Sequence, residues 1–219
     1  MVGVERTIRP AETIRRVEPL LGRIGVTRVG EVTHLDRNGL PNFVAVWPRE
    51  AGRGISYYNG KGATRAQAKA SAMMEAVERY SAEECHLPVS EASYERLRNS
   101  ADAVDPRELM APRSGGDLIT LGLEWVLGYD LIADRPRYVP LNAVVTPYRP
   151  STAPSTWDSS TNGLASGNTP EEAVCQALCE VIERDSMAVY CASCRLRDGV
   201  NTILEGLGVS VGSDRKSVV

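Results

Sequence analysis

Histidine is scarce. Two residues in 219, His34 and His86, stand in no nucleophile motif, which argues against a hydrolase triad. There is no basic excess either: 25 Lys+Arg against 28 Asp+Glu give a net charge of −3 and a pI near 5.6. That excludes holding a nucleic-acid backbone as the main activity. No stretch approaches the roughly 20 apolar residues of a membrane helix, and no apolar run follows the first charges, so no secretory signal is read. The cysteines number five, odd and mostly in apolar contexts, which fits free thiols in a reducing, cytoplasmic compartment. The Walker A spacing Gly-x-x-x-x-Gly-Lys-Ser/Thr is absent, because Gly60-Lys61-Gly62-Ala63-Thr64 is too short, so the chain is not a P-loop protein. What is present, 42% hydrophobic and 24% charged residues, is ordinary globular composition.

Periodicity places an amphipathic helix over 12–21, with Gly22 as its C-cap. Strands are expected at 24–32, 42–47 and 55–58, the last closed by a turn at Asn59-Gly60-Lys61-Gly62, with Leu35-Asp36-Arg37-Asn38-Gly39 as another turn. A long helix is expected over 65–84 and further strands at 118–121, 125–130 and 138–145. A Ser/Thr/Gly/Asn-rich stretch, 151–168, leads into a second long helix over 170–190. Strand clusters punctuated by two long helices predict an α+β fold with mixed, largely antiparallel sheets.

The most informative feature is an internal echo. Gly62, Thr64, Ala68, Glu75, Glu78 and Arg79 recur at one fixed offset as Gly167, Thr169, Ala173, Glu180, Glu183 and Arg184. Glu-x-x-Glu-Arg alone is common on solvated helix faces, whereas the whole pattern at one offset reads as a duplicated βα-type unit.

At about 100° per residue, Gln67, Ser71, Glu75, Glu78 and Arg79 share one narrow arc of the first helix. Glu172, Gln176, Glu180, Glu183 and Arg184 share one arc of the second. The rest of each helix is apolar, the reverse of an ordinary surface helix. If that apolar majority is packed, both acidic stripes line a cleft, and five carboxylates converging there require cations. Hard oxygen ligands suit Mg²⁺, which binds best when phosphate oxygens complete its shell. The glycine-rich turns before each helix add backbone N–H donors for an anion.

These same blocks, Gly60-Lys61-Gly62-Ala63-Thr64 with Ser71 to Arg79, and Thr161 to Thr169 with Glu180-Val181-Ile182-Glu183-Arg184-Asp185, resemble the two signature blocks of the YcaO family. Gly25-Val26-Thr27-Arg28-Val29 followed by Leu35-Asp36 and Gly39-Leu40-Pro41 resembles its N-terminal block. The resemblance implies ATP- and Mg²⁺-dependent activation of peptide backbone amides. A nucleophile attacks the amide carbon, ATP phosphorylates the amide oxygen, and phosphate leaves to give an azoline or a thioamide. It also implies that Glu75, Glu78, Glu172, Glu180 and Glu183 hold Mg²⁺ and that Arg184 contacts phosphate. Ser71 and Asn168 would then contact the nucleotide, with Arg6 and Thr13 near it. A peptide or protein substrate is implied, with a separate TfuA-like or E1-like partner protein and a possible homodimer; the thioamide branch is favoured. Residues 1–197 read as a partial YcaO domain and 198–219 as a divergent tail, taken as a truncation artefact.

Two rivals belong to other classes: a non-catalytic accessory factor for a protein-modification enzyme of the ribosomal-protein methylthiolation type, and acidic stripes that are simply solvated. Among smaller features, Cys191-x-x-Cys194 without a second pair reads as core or incidental rather than half a zinc site. Cys175 and Cys179 are expected as buried small hydrophobes. Cys85 and His86 are expected at the surface, and Trp47, Trp125 and Trp157 in cores.

Overall fold

The computed structural model describes residues 6–206 except 36, 50–53, 85–86, 110–111, 114–115 and 150–152, and of 197–206 the helical backbone alone. Cys85, His86 and the tail beyond 206 lie outside the described residues. Helix α1 (Pro10–Leu21) starts with proline in its first turn, where the missing N–H costs nothing. Strands β1 (Arg28–Glu31), β2 (Asn42–Pro48) and β3 (Ile55–Lys61) form one antiparallel sheet in the order β1-β2-β3. On β2, Phe43, Ala45 and Trp47 point inward at alternate positions and meet helix α2 (Arg65–Glu83) through Ala68, Ala72, Met73 and Ala76. Small residues on this face of α2 let it lie directly on β3. A Cβ built on Gly60 would stand 2.0 Å from the Ala72 nitrogen and 2.3 Å from the Ala68 oxygen. Residues 59–61 therefore continue β3 in register with β2, with Gly60 opposite Phe43. The expected turn there is replaced by strand, because its glycine serves close packing rather than chain reversal.

A second antiparallel sheet has the order β4-β5-β6, from β4 (Val89–Ser93), β5 (Gly122–Asp130) and β6 (Arg135–Pro140), with a short helix α3 (Tyr94–Leu97) after β4. Its core holds Leu123, Trp125 and Trp157 with Leu97 and Ala103. The expected strand at 118–121 is a turn. The Asp117 carboxylate accepts from the Ile119 amide at 3.0 Å and the Thr120 hydroxyl at 2.8 Å, which closes the chain on itself. The strand expected at 138–145 ends at Pro140, where Leu141–Ala143 turns as a 3₁₀ helix. There the buried Asn142 accepts from the Thr156 and Trp157 amides at 2.7 and 2.8 Å and donates to the Trp157 carbonyl at 3.2 Å. The first expected strand shrinks to β1, since Gly25 at φ +82° and the turn hydrogen bonds donated by the Ile24, Gly25 and Val26 amides occupy its first half.

Helix α4 runs over Pro170–Gly206, well past its expected end at 190 and through the expected boundary at 197. Both long helices open with the same cap. Thr64 Oγ1 accepts from Gln67 N at 3.2 Å, and Thr169 Oγ1 from Glu172 N at 3.2 Å. A Cβ on Gly62 or on Gly167 would crowd the backbone nitrogen of Ala68 or of Ala173, at 2.8 and 2.5 Å. The apolar side of α4 differs from expectation. Val174, Leu178, Val181 and Ile182 are exposed, as are Cys175 and Cys179. These two thiols are therefore not core groups, because no described element packs on that side of the helix. No described helix is long and apolar enough to cross a membrane.

Candidate functional site

The N-terminal segment, α2 and the start of α4 line a half-open cavity of about 680 Å³. Ser71, Glu75 and Glu78 line it from α2, Asn168 and Glu172 from the start of α4, and Arg6 and Thr13 from the chain's beginning. Glu180, Glu183 and Arg184 are not in its lining. Glu180 accepts from the Gly163 amide at 2.9 Å and pairs with Arg184 at 2.6 Å. Glu183 and Arg184 are exposed.

The carboxylates fall into two electrostatic classes. Burial raises the Glu75 pKa against the nearby Arg79 and a backbone hydrogen bond from Asn59. Burial also raises Glu78, helped by the charges of Glu75 and Glu180 and opposed by Ser166 and Arg79. The Ser166 hydroxyl lies 3.3 Å from a Glu78 oxygen and 3.2 Å from the Met74 carbonyl, joining the approach to α4 onto α2. Glu172 behaves oppositely. Its side chain is 7% exposed, and burial opposes its charge. Hydrogen bonds from the Thr7 hydroxyl and amide, Asn168 and Arg6 nevertheless hold it down to about 2. Those bonds measure 2.6 and 3.0 Å from Thr7 Oγ1 and N, 3.0 Å from Arg6 Nη1, and 3.0 and 3.2 Å from Asn168 Nδ2. Asn168 in turn accepts from the buried Thr13 hydroxyl at 3.0 Å, so α1 is tied to the start of α4.

The family model described as YcaO cyclodehydratase, ATP- and Mg²⁺-binding, matches residues 59–204. The chain belongs to the YcaO family. A protein of Methanothermobacter thermautotrophicus is 46% identical over 186 residues, covering 84% of this chain and 47% of the relative. A Rhizobium leguminosarum bv. trifolii protein, described as encoded in the tfuA 3′ region, is 35% identical over 84% of this chain and 43% of its own length. This YcaO chain thus spans about half the length of the curated relatives it matches. Among solved structures, YcaO from Methanopyrus kandleri bound with AMPPCP and Mg²⁺ aligns with a TM-score of 0.63 at 35% identity, over 84% of this chain and 45% of that one. A heterocyclase in complex with substrate and cofactor aligns at 0.65 and 22% identity, over 80% and 27%, a likeness of fold alone.

Several lining residues of the YcaO cavity had no expected role: Thr7, Lys61, Gln176 and Ser166. Gln176 was readable, since it occupies the Ser71 position of the echo. Ser166 and Thr7 act through tertiary contacts across 88 and 165 residues, which no local pattern signals. Among the described residues no three His, Cys, Asp or Glu side chains stand close enough to hold a metal by themselves.

Proposed function

We propose that this chain carries the ATP- and Mg²⁺-binding site of an enzyme that activates peptide backbone amides by O-phosphorylation, giving a thioamide or an azoline. The observation that carries the reading is the pair Glu75 and Glu78. Burial destabilises the charge on both, and the neighbouring Glu75 charge adds to the cost at Glu78, in a cavity that Asn168 and Glu172 line from the start of the other helix. A hard divalent cation relieves that cost, and one that keeps waters and shares phosphate oxygens needs few protein ligands, so the residues present fit Mg²⁺. When bound, the ion supplies charge neutralisation at the triphosphate.

Glu75 and Glu78 would hold it, and Glu172, which does not stand with them as a ready-made triad, would have to join from the other wall. Glu180 and Glu183, about 12 and 16 Å further along α4 at its rise per residue, would extend the acidic row. Ser71 and Asn168 would orient the nucleotide with Arg6 and Thr13 near it, and Arg184, which lies outside the cavity lining and pairs with Glu180, would contact phosphate. The shared cap and glycine contact support reading α2 and α4 as copies of one unit, although no described strand directly precedes α4 as β3 precedes α2. The thioamide branch with a TfuA-like partner draws support from the Rhizobium relative, whose description places its gene beside tfuA.

Calorimetry with Mg·AMPPCP, followed by peptide-dependent phosphate release in the presence of sulfide and a TfuA-like partner, tests the reading. Glu75→Gln is expected to weaken nucleotide binding at least about tenfold and to abolish the peptide-dependent turnover. Turnover that ignores peptide, with Glu75→Gln and Glu180→Gln matching the parent, would overturn it in favour of an accessory role.

A further inference from the structure

Glu172 has no hydrogen-bonding capacity to spare. A carboxylate offers about four lone-pair sites, and Thr7 N, Thr7 Oγ1, Arg6 Nη1 and Asn168 Nδ2 supply four donor groups to it. Arg6 also donates from Nη2 to Gln176 Oε1 at 3.1 Å, so its guanidinium bridges two successive turns of α4. One of these donors, Asn168 Nδ2, belongs to the start of α4 and the other three to Arg6 and Thr7, a segment held to this wall largely by that one carboxylate. Glu172 is thus already paired directly with a protein cation, whereas burial still holds up the pKa of Glu75 and Glu78 in spite of the nearby Arg79.

We propose that the Arg6–Thr7 segment is an exchangeable counter-ion: it occupies Glu172 in the ligand-free protein and withdraws when a divalent cation enters the cavity. The inference rests on the metal-site reading above and deepens it. Both oxygens of Glu172 are engaged, so a cation cannot coordinate it without breaking the Arg6 or Thr7 bonds. Once released, the Arg6 guanidinium remains at the cavity edge, where it can follow an incoming anion. The segment therefore links entry of the metal to movement of the strap that leads into α1.

The test uses Mn²⁺ alone as the probe, measured by electron paramagnetic resonance on the parent, Arg6→Gln and Arg6→Lys, with no nucleotide. Arg6 is partly exposed, so its competition is screened. Arg6→Gln is expected to bind Mn²⁺ about three- to tenfold more tightly, with Arg6→Lys in between. Hydrogen exchange of the Thr7 amide should speed up when Mg²⁺ is added to the parent. Equal or weaker Mn²⁺ binding by Arg6→Gln, or a Thr7 amide that exchanges no faster with metal, overturns the exchange. Failure of all three proteins to take up Mn²⁺ also overturns it. Heat from Mg·AMPPCP in that case leaves the nucleotide site standing, whereas its absence removes both readings.

Discussion

Placing one methyl group between β3 and α2 tests the architecture that sets the cavity's acidic wall. In Gly60→Ala the new Cβ meets the Ala72 nitrogen at 2.0 Å, the Ala68 oxygen at 2.3 Å and the Ala72 Cα at 2.7 Å. All three atoms belong to the backbone of a helix, so no side chain can rotate away, and strand and helix must separate by an ångström or more. Overpacking costs about 1–3 kcal/mol where side chains can adjust; rigid backbone on one side puts this case at the top of that range or above. For a chain of this size about 3 kcal/mol corresponds to a melting temperature lower by roughly 6–12 °C. Calorimetric melting measures the loss. Near-UV circular dichroism follows the packing, because Trp47 sits 6.2 Å from Tyr58 and 5.9 Å from Tyr80 at the same junction. Gly22→Ala is the control. It has nothing within 4 Å and helical dihedrals, and should change stability by less than about 0.5 kcal/mol. A Gly60→Ala protein melting within about 2 °C of the parent, with an unchanged aromatic spectrum, would refute the reasoning.

Three further outcomes follow from the site and its supports. Glu78→Gln should raise the melting temperature at neutral pH without Mg²⁺ by about 2 °C. Its raised pKa means that ionisation costs the folded state, so the gain disappears as pH falls through the folded pKa toward 4.5, where the parent is also neutral; a melting series from pH 7 to 4 checks this. Glu172 has the opposite sign. Held at about 2, its stabilisation is complete above the ordinary value near 4.5 and is lost as pH falls toward 2. Acid titration of the parent should therefore show a loss on the order of 2 kcal/mol that Glu172→Gln lacks. Asn142→Ala strips partners from the buried Thr156 and Trp157 amides and should cost about 2–4 kcal/mol in urea unfolding.

Much of this architecture was legible because its signals are local. Alternation at 42–47 marked β2, and helical periodicity marked where both long helices begin. What misled were residues whose role is set by a distant neighbour. Gly60 looks like a turn former until α2 presses on it, and the polar Val89–Ser93 declares itself a strand only by pairing with β5. In the site, helical spacing alone brought Ser71, Glu75 and Glu78 together, while Arg6, Thr13 and Asn168 reached the cavity through the family likeness. Spacing could not reveal that Glu172 is sealed by Arg6 and Thr7, or that the apolar side of α4 stands uncovered among the described residues. Those facts depend on which surfaces meet.

The bonds from Arg6 and Thr7 to Glu172 span 166 and 165 residues, and this fixes an order of assembly. At ribosomal speeds of about 5–20 residues per second, roughly 8–33 s separate the emergence of the two ends of that contact. The first sheet with α2 has all its partners early and can collapse while the nascent chain is still growing. The acidic wall of α2 must then wait, hydrated and unopposed, until the second helix arrives to complete the chamber.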